Sequence, residues 1–214
     1  MLRAMRYRIP KATLDAPHTA EIERQKSRFI GWCAHAPDAA TAEALVAAAR
    51  TRYPDASHHC LAYIAGPPGE QQAIGFSDDG EPGGTAGRPM FQALAGAEIG
   101  EIACVATRYF GGTQLGTGGL ARAYAQTVSA VLAELPVILH VPRRAVRLHL
   151  AFADEQPARA WLAEHDARVI DAAYHAQGVT LTVGWPADAT TSLAALDARL
   201  GGRLGEPDPP DDGG

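Results

Sequence analysis

Between Arg108 and Tyr124 the chain reads RYFGGTQLGTGGLARAY, with five glycines in the nine positions 111–119. Glycine reaches positive φ and lets another group approach the backbone closely. Successive N–H groups in such a turn form an anion-binding nest, and a following helix adds its positive N-terminal end. The candidate anion-binding residues are therefore Gly111, Gly112, Thr113, Gly116, Thr117, Gly118 and Gly119. Arg108 and Arg122 supply fixed charge, with Arg28 and Arg88 at the rim. Phosphate is the anion these groups suit. The segment is not a Walker A loop, because no Gly-Lys-Ser/Thr follows, and it lacks the third glycine of a dinucleotide fingerprint. The same glycines would also serve a tight strand-to-helix connection.

A second segment, Ser77 to Pro89 (SDDGEPGGTAGRP), packs three carboxylates into four positions. Asp78, Asp79 and Glu81 could hold Mg²⁺ with water completing the shell. They could equally cap N–H groups of a turn and of the next helix. A third segment is His58-His59-Cys60. On strands, His58 would share a face with Cys60, and Cys33 with His35. Two such pairs could bind a metal if their strands were neighbours in register, and a Cys nucleophile with a His base is the other chemistry available. A buried thiol and a hydrogen-bonded imidazole are the plainer reading. GxSxG and HExxH are absent.

These groups need a scaffold. Strand patterns run over residues 28–35, 58–65, 71–77 and 101–109, and helical patterns over 39–50, near 87–95, and from the glycine turn to about Leu135. Asp38 is placed to cap the first helix. Pro136 and Pro142 bracket a connector, so the expected domains are 1–137 and 143–204. The second reads strand 144–152, helix 155–165, hairpin 167–175 with 178–185, and helix 189–200. This βαββα order fits a ferredoxin-like sandwich short of its last strand. Residues 205–214, with four acids, three prolines and no base, read as a disordered acidic tail.

Composition narrows the function. The 214 residues are 47% hydrophobic and 20% charged, with a formal net charge of −5. That suits a soluble globular chain and leaves no ~20-residue apolar run for a membrane span. The basic N-terminus has no apolar segment behind it, so no secretory signal is expected. Three cysteines without a CxxC argue against a disulfide framework and for a reducing cytoplasm. A sequence pI of 5.9 argues against coating duplex nucleic acid. The charge is uneven, however. Residues 1–30 hold seven Arg or Lys against three acids.

Four ordered segments together resemble the YigZ/IMPACT family. They are Lys26 to Phe29 (KSRF), Ala56 to Tyr63 (ASHHCLAY), Asp78 to Pro89, and Arg108 to Tyr124. The resemblance implies an N-terminal α/β fold similar to a ribosomal-protein domain, also used by GHMP kinases, and a ferredoxin-like C-terminal domain, α/β plus α+β in class. It implies a cytoplasmic, non-catalytic protein of translation that binds RNA or the ribosome, or a protein partner in translation control, without a cofactor. The kinase-related fold leaves a phosphate- or nucleotide-dependent small-molecule enzyme as the alternative. Gln114 stands where the family often has a basic residue, and His59 where Asn is common. The C-terminal sheet face expected to carry Arg147, His149, Thr180 and Thr182 lacks the exposed aromatics of an RRM.

Overall fold

A computed structural model describes residues 6–205; the expected acidic tail lies outside them apart from Gly205. The chain divides into two compact units, Tyr7–His140 and the residues from Val141 onward together with Arg6. No helix among the described residues is long and apolar enough to cross a membrane.

The first unit contains β1 (Tyr7–Pro10), β2 (His18–Arg24), β3 (Ser27–His35), α1 (Ala39–Arg52), β4 (His58–Ile64), β5 (Ile74–Ser77), α2 (Gly87–Ala95), β6 (Ile102–Tyr109), α3 (Gly116–Ala133) and β7 (Val137–His140). Its sheet has the order β2-β3-β6-β4-β5, and every neighbouring pair is antiparallel. β3 and β4 therefore run the same way, joined across α1, with β6 inserted between them. The sheet is covered on both faces. Phe29, Cys33, Cys60, Ala62, Ile102, Cys104 and Ala106 share a core with Tyr124, Val128 and Val131 of α3 and Met90 and Leu94 of α2. The opposite parity, including Ala34, Leu61, Ala103 and Val105, packs on Ala42, Leu45 and Ala49 of α1. Burial on both faces explains why β6 reads as a nearly continuous apolar run rather than an alternating one.

Local signals fix the ends of these elements. Asp38 Oδ1 accepts from the Thr41 N–H and hydroxyl, both at 2.7 Å, and so caps α1. β2 and β3 form a two-residue hairpin in which Gln25 and Lys26 have φ of 46° and 65°. Such a turn matches the strand twist but ordinarily selects Asn or Gly. β2 lies outside the strand patterns expected from sequence, because its alternation is polar and half-exposed. β1 and β7 carry no strand signal either; they pair as a two-stranded ribbon, and β1 also bridges at Arg8 to Ile99. Pairing with β1 puts residues 137–140 with the first unit, a few residues past the expected end at 137.

The second unit contains β8 (Arg143–Leu150), α4 (Phe152–Glu164), β9 (Arg168–His175), β10 (Gly178–Pro186) and α5 (Leu193–Arg199). The sheet order β8-β10-β9 repeats the same logic, with β10 antiparallel between two parallel neighbours-but-one. Leu148, Leu150, Val179, Leu181, Val183 and Trp185 face Trp161 and Leu162 of α4 and Leu196 of α5. The Gly205 N–H donates to His149 O at 3.2 Å, so the chain returns to the outer edge of β8. That is the edge a fourth ferredoxin-like strand would occupy.

Candidate functional site

At the end of β6 lies a buried polar network. Arg108 follows the parity of Cys104 and Ala106 and therefore points at α2 and α3, not at solvent. It is only 5% exposed. Its Nη1 donates to Glu81 Oε1 at 2.6 Å, and the Tyr124 hydroxyl donates to the same oxygen at 2.7 Å. Its Nη2 lies 3.4 Å from Ser27 Oγ, and its Nε is buried without an acceptor among the described residues. The guanidinium also sits 5.5 Å from the ring centres of both Phe29 and Phe110. Burial, with the carboxylate beside it, pushes the Tyr124 hydroxyl well above the usual phenol range. A charge-assisted pair so desolvated holds three segments together: the loop after β5, the end of β6 and the middle of α3.

The three carboxylates expected as Mg²⁺ ligands are spent on the protein itself. Asp78 accepts from the N–H groups of Gly84, Ala86 and Gly87 at 2.7–2.9 Å. Burial pushes its carboxyl up, but those three donors outweigh it and hold the pKa below the ordinary value. Asp79 accepts from the His59 N–H at 2.6 Å and pairs with Arg50. Glu81 holds Arg108 and Tyr124. No cluster among the described residues could hold a metal ion. The loop is the capping turn for α2, as the plainer sequence reading had it.

The Cys/His metal arrangement is also absent, for a topological reason. β6 lies between β3 and β4, and His35 pairs in register with Ile102 while His58 pairs with Arg108, at opposite ends of β6. His35 instead contacts Glu101 at 2.5 Å, and His58 Nδ1 meets Asp79 O at 2.8 Å. All three thiols are free and buried. Burial pushes Cys60 and Cys104 up to about 12, so neither serves as a thiolate nucleophile.

The glycine turn itself is open. Its first residue is anchored: the Gly111 N–H donates to Ser27 Oγ at 3.2 Å. A Cβ on Gly111 would stand 2.0 Å from the Lys26 carbonyl carbon and oxygen, so the turn lies directly on the β2–β3 hairpin. Gly112 and Gly116 have φ of +79° and +69°. From Gly112 to Gly118 the backbone N–H groups find no acceptor among the described residues, and no side chain caps α3. Gly112, Thr113, Gly116, Thr117 and Gly118 are exposed. The glycine content of 111–119 predicts a loop throughout. Gly116 onward is already the first turn of α3, so the free amides belong to a helix N-terminus preceded by a short glycine bend.

Beside this turn is a cleft of about 190 Å³ lined by Arg24, Gln25, Leu115, Gly119, Arg122, Ala123 and Gln126. Arg122 is exposed, and its guanidinium lies 3.5 Å from where a Gly118 Cβ would be. Arg24 donates to Gln126 Oε1 at 2.8 Å and is paired with no acid among the described residues. Arg28, expected at the rim, is instead clamped by Glu21 at 2.6 and 2.8 Å. Arg88 stands exposed in the first turn of α2, and no hydrogen bond or ion pair joins it to the glycine turn among the described residues. Arg24, Gln25 and Lys26 join the site only through the fold. Their sequence signal is two polar residues between oppositely running strands, and it is legible only once β2 is read as a strand.

Comparison with known proteins supplies the context. The Impact N-terminal domain family matches residues 25–132, and the Domain of unknown function (DUF1949) family matches residues 148–203. An IMPACT family member, YigZ of Escherichia coli (strain K12), is 42% identical over 185 residues, 86% of this chain and 89% of that protein. An IMPACT family member of Haemophilus influenzae is 44% identical over 142 residues, 66% of this chain and 67% of that one. A solved structure described as a hypothetical protein matches with a TM-score of 0.70 and 40% identity, covering 94% of this chain and 95% of that one.

Proposed function

The chain belongs to the IMPACT family, and from that premise we propose that it is a non-catalytic binding protein of translation or RNA metabolism that holds RNA phosphate in its glycine turn. The observation that carries this reading is the run of N–H groups from Gly112 to Gly118 without an acceptor among the described residues, in a mostly exposed segment next to a cleft that Leu115, Arg24 and Arg122 line. A helix N-terminus with free amides favours negative charge, and flanking guanidiniums add to that field. Lys26, exposed on the adjoining hairpin, extends the same basic edge. An overall charge of −5 is no obstacle, because phosphate binding is a local effect. The cytoplasm and a partner that is RNA or the ribosome belong to this proposal. Capture of the three acidic side chains by the protein removes the support for a Mg²⁺-dependent enzyme at the same place.

The test is RNA binding as a function of salt. The expected affinity falls steeply between about 50 and 200 mM salt, as counterions return to the phosphates. Arg122→Ala should weaken binding and reduce the salt slope by about 0.7, the value for one phosphate contact on a single strand. Failure to bind RNA even at low salt would remove the reading.

A further inference from the structure

Phe110 immediately precedes the glycine turn, and 53% of its surface is exposed. The ring is not loose. The Arg108 guanidinium lies 5.5 Å from its centre, and that guanidinium is fixed by Glu81 and by its own burial. On the C-terminal side, Gly111 is pressed onto the Lys26 peptide and bonded to Ser27, which sets the direction of the chain as it leaves the ring. The result is an aromatic surface held in solvent by a buried cation, with amides that have no acceptor among the described residues beginning two residues on, at Gly112.

The chemistry of the surroundings decides what would cover such a ring. An apolar protein partner would leave the amides of Gly112 to Gly118 and the charges of Lys26, Arg24 and Arg122 unsatisfied. A duplex keeps its bases stacked inside and offers a lone ring nothing flat to lie on. A strand with unpaired bases offers both parts at once, a π-face for the ring and phosphates for the amides and cations. We infer that Phe110 is the stacking platform for an unpaired base of single-stranded RNA, the neighbouring phosphate of which lies at the glycine turn. This rests on the phosphate reading above and adds to it the class of strand and the residue that meets the base. The buried Arg108, which sequence reasoning had assigned to phosphate, acts instead as a positioning residue beneath the ring.

The experiment uses the full chain and two probes of about 12 nucleotides, a uridine oligomer and an abasic oligomer with the same backbone. The wild-type protein should prefer the uridine oligomer by about ten-fold, the order expected of one aromatic stack. Phe110→Ala should bind both oligomers equally, with the salt slope of the wild type. Phe110→Trp should keep the preference, and its added fluorescence should be quenched at saturation with the uridine oligomer. A Phe110→Ala protein that still prefers bases, or a Phe110→Trp signal that saturation leaves unchanged, would overturn the inference. Wild-type protein that binds both oligomers equally would overturn it while sparing the phosphate reading. Wild-type protein that binds neither at low salt would remove both. Because Phe110 is half in solvent, thermal unfolding of the variants should match the wild type and so exclude misfolding as the cause.

Discussion

At the scale of single residues, burial reverses the role that charge alone suggests. Arg108 and Glu81 each read as ligand-binding groups when taken by type, yet they satisfy one another inside the first unit at 2.6 Å. Removing one member of such a pair leaves the other charged and desolvated, which costs more than losing both. Glu81→Ala should therefore destabilise the protein by about 3–5 kcal/mol, read from the denaturant midpoint. Glu81→Ala combined with Arg108→Met should recover a large part of that loss. Equal destabilisation of the single and double variants would mean that packing of the loop, not the buried charge, dominates.

At the scale of elements, two short connections carry most of the site. The first is the β2–β3 hairpin, where Gln25 and Lys26 adopt positive φ without being glycine. Each such residue costs of order 1 kcal/mol. Lys26→Gly relieves that strain and deletes a cation beside the glycine turn. It should raise the unfolding temperature while weakening RNA binding, two effects of opposite sign in one variant. The second connection is the loop from Asp78 to Ala86, whose aspartate collects three amides. The folded carboxyl titrates below its ordinary 3.8, so its stabilisation is present above that value and is lost as pH falls through the folded value. Asp78→Asn should be less stable at neutral pH, by about 1–2 kcal/mol. Its stability should also fall less steeply than that of the wild type between about pH 5 and pH 2. Parallel acid profiles for the two proteins would show that other carboxylates set the slope.

At the scale of the whole molecule, each unit is legible to a different depth. The βαββα order of residues 143–199 follows from period-two strands and flanking helices, because a small two-layer unit has few ways to bury those faces. In the first unit the strong elements, β3, α1, β4, β6 and α3, are equally readable from apolar periodicity and from the Asp38 cap. β1, β2 and β7 are not, since β2 is a polar edge strand and β1 and β7 are four-residue strands too short to show a period. The acidic loop and the cysteines illustrate a second limit. Residue type and spacing admitted a metal site in either place, but the strand order β2-β3-β6-β4-β5 separates the Cys/His pairs, and the three carboxylates are taken up by backbone amides, Arg50 and Arg108.

The amino-acid sequence by itself determined the family, the two-part architecture and the position of the glycine bend. Those depend on local backbone freedom and on apolar period, which neighbours along the chain already carry. Tertiary structure alone decided which charges remain for a ligand. Arg108 meets Glu81 across 27 positions and lies near Ser27 across 81, and Arg28 is clamped by Glu21 across the hairpin, whereas Arg122, Arg24 and Lys26 stay at the surface. A charge is available or cancelled according to what desolvates and faces it, and that is set by packing between distant segments, not by spacing along the chain.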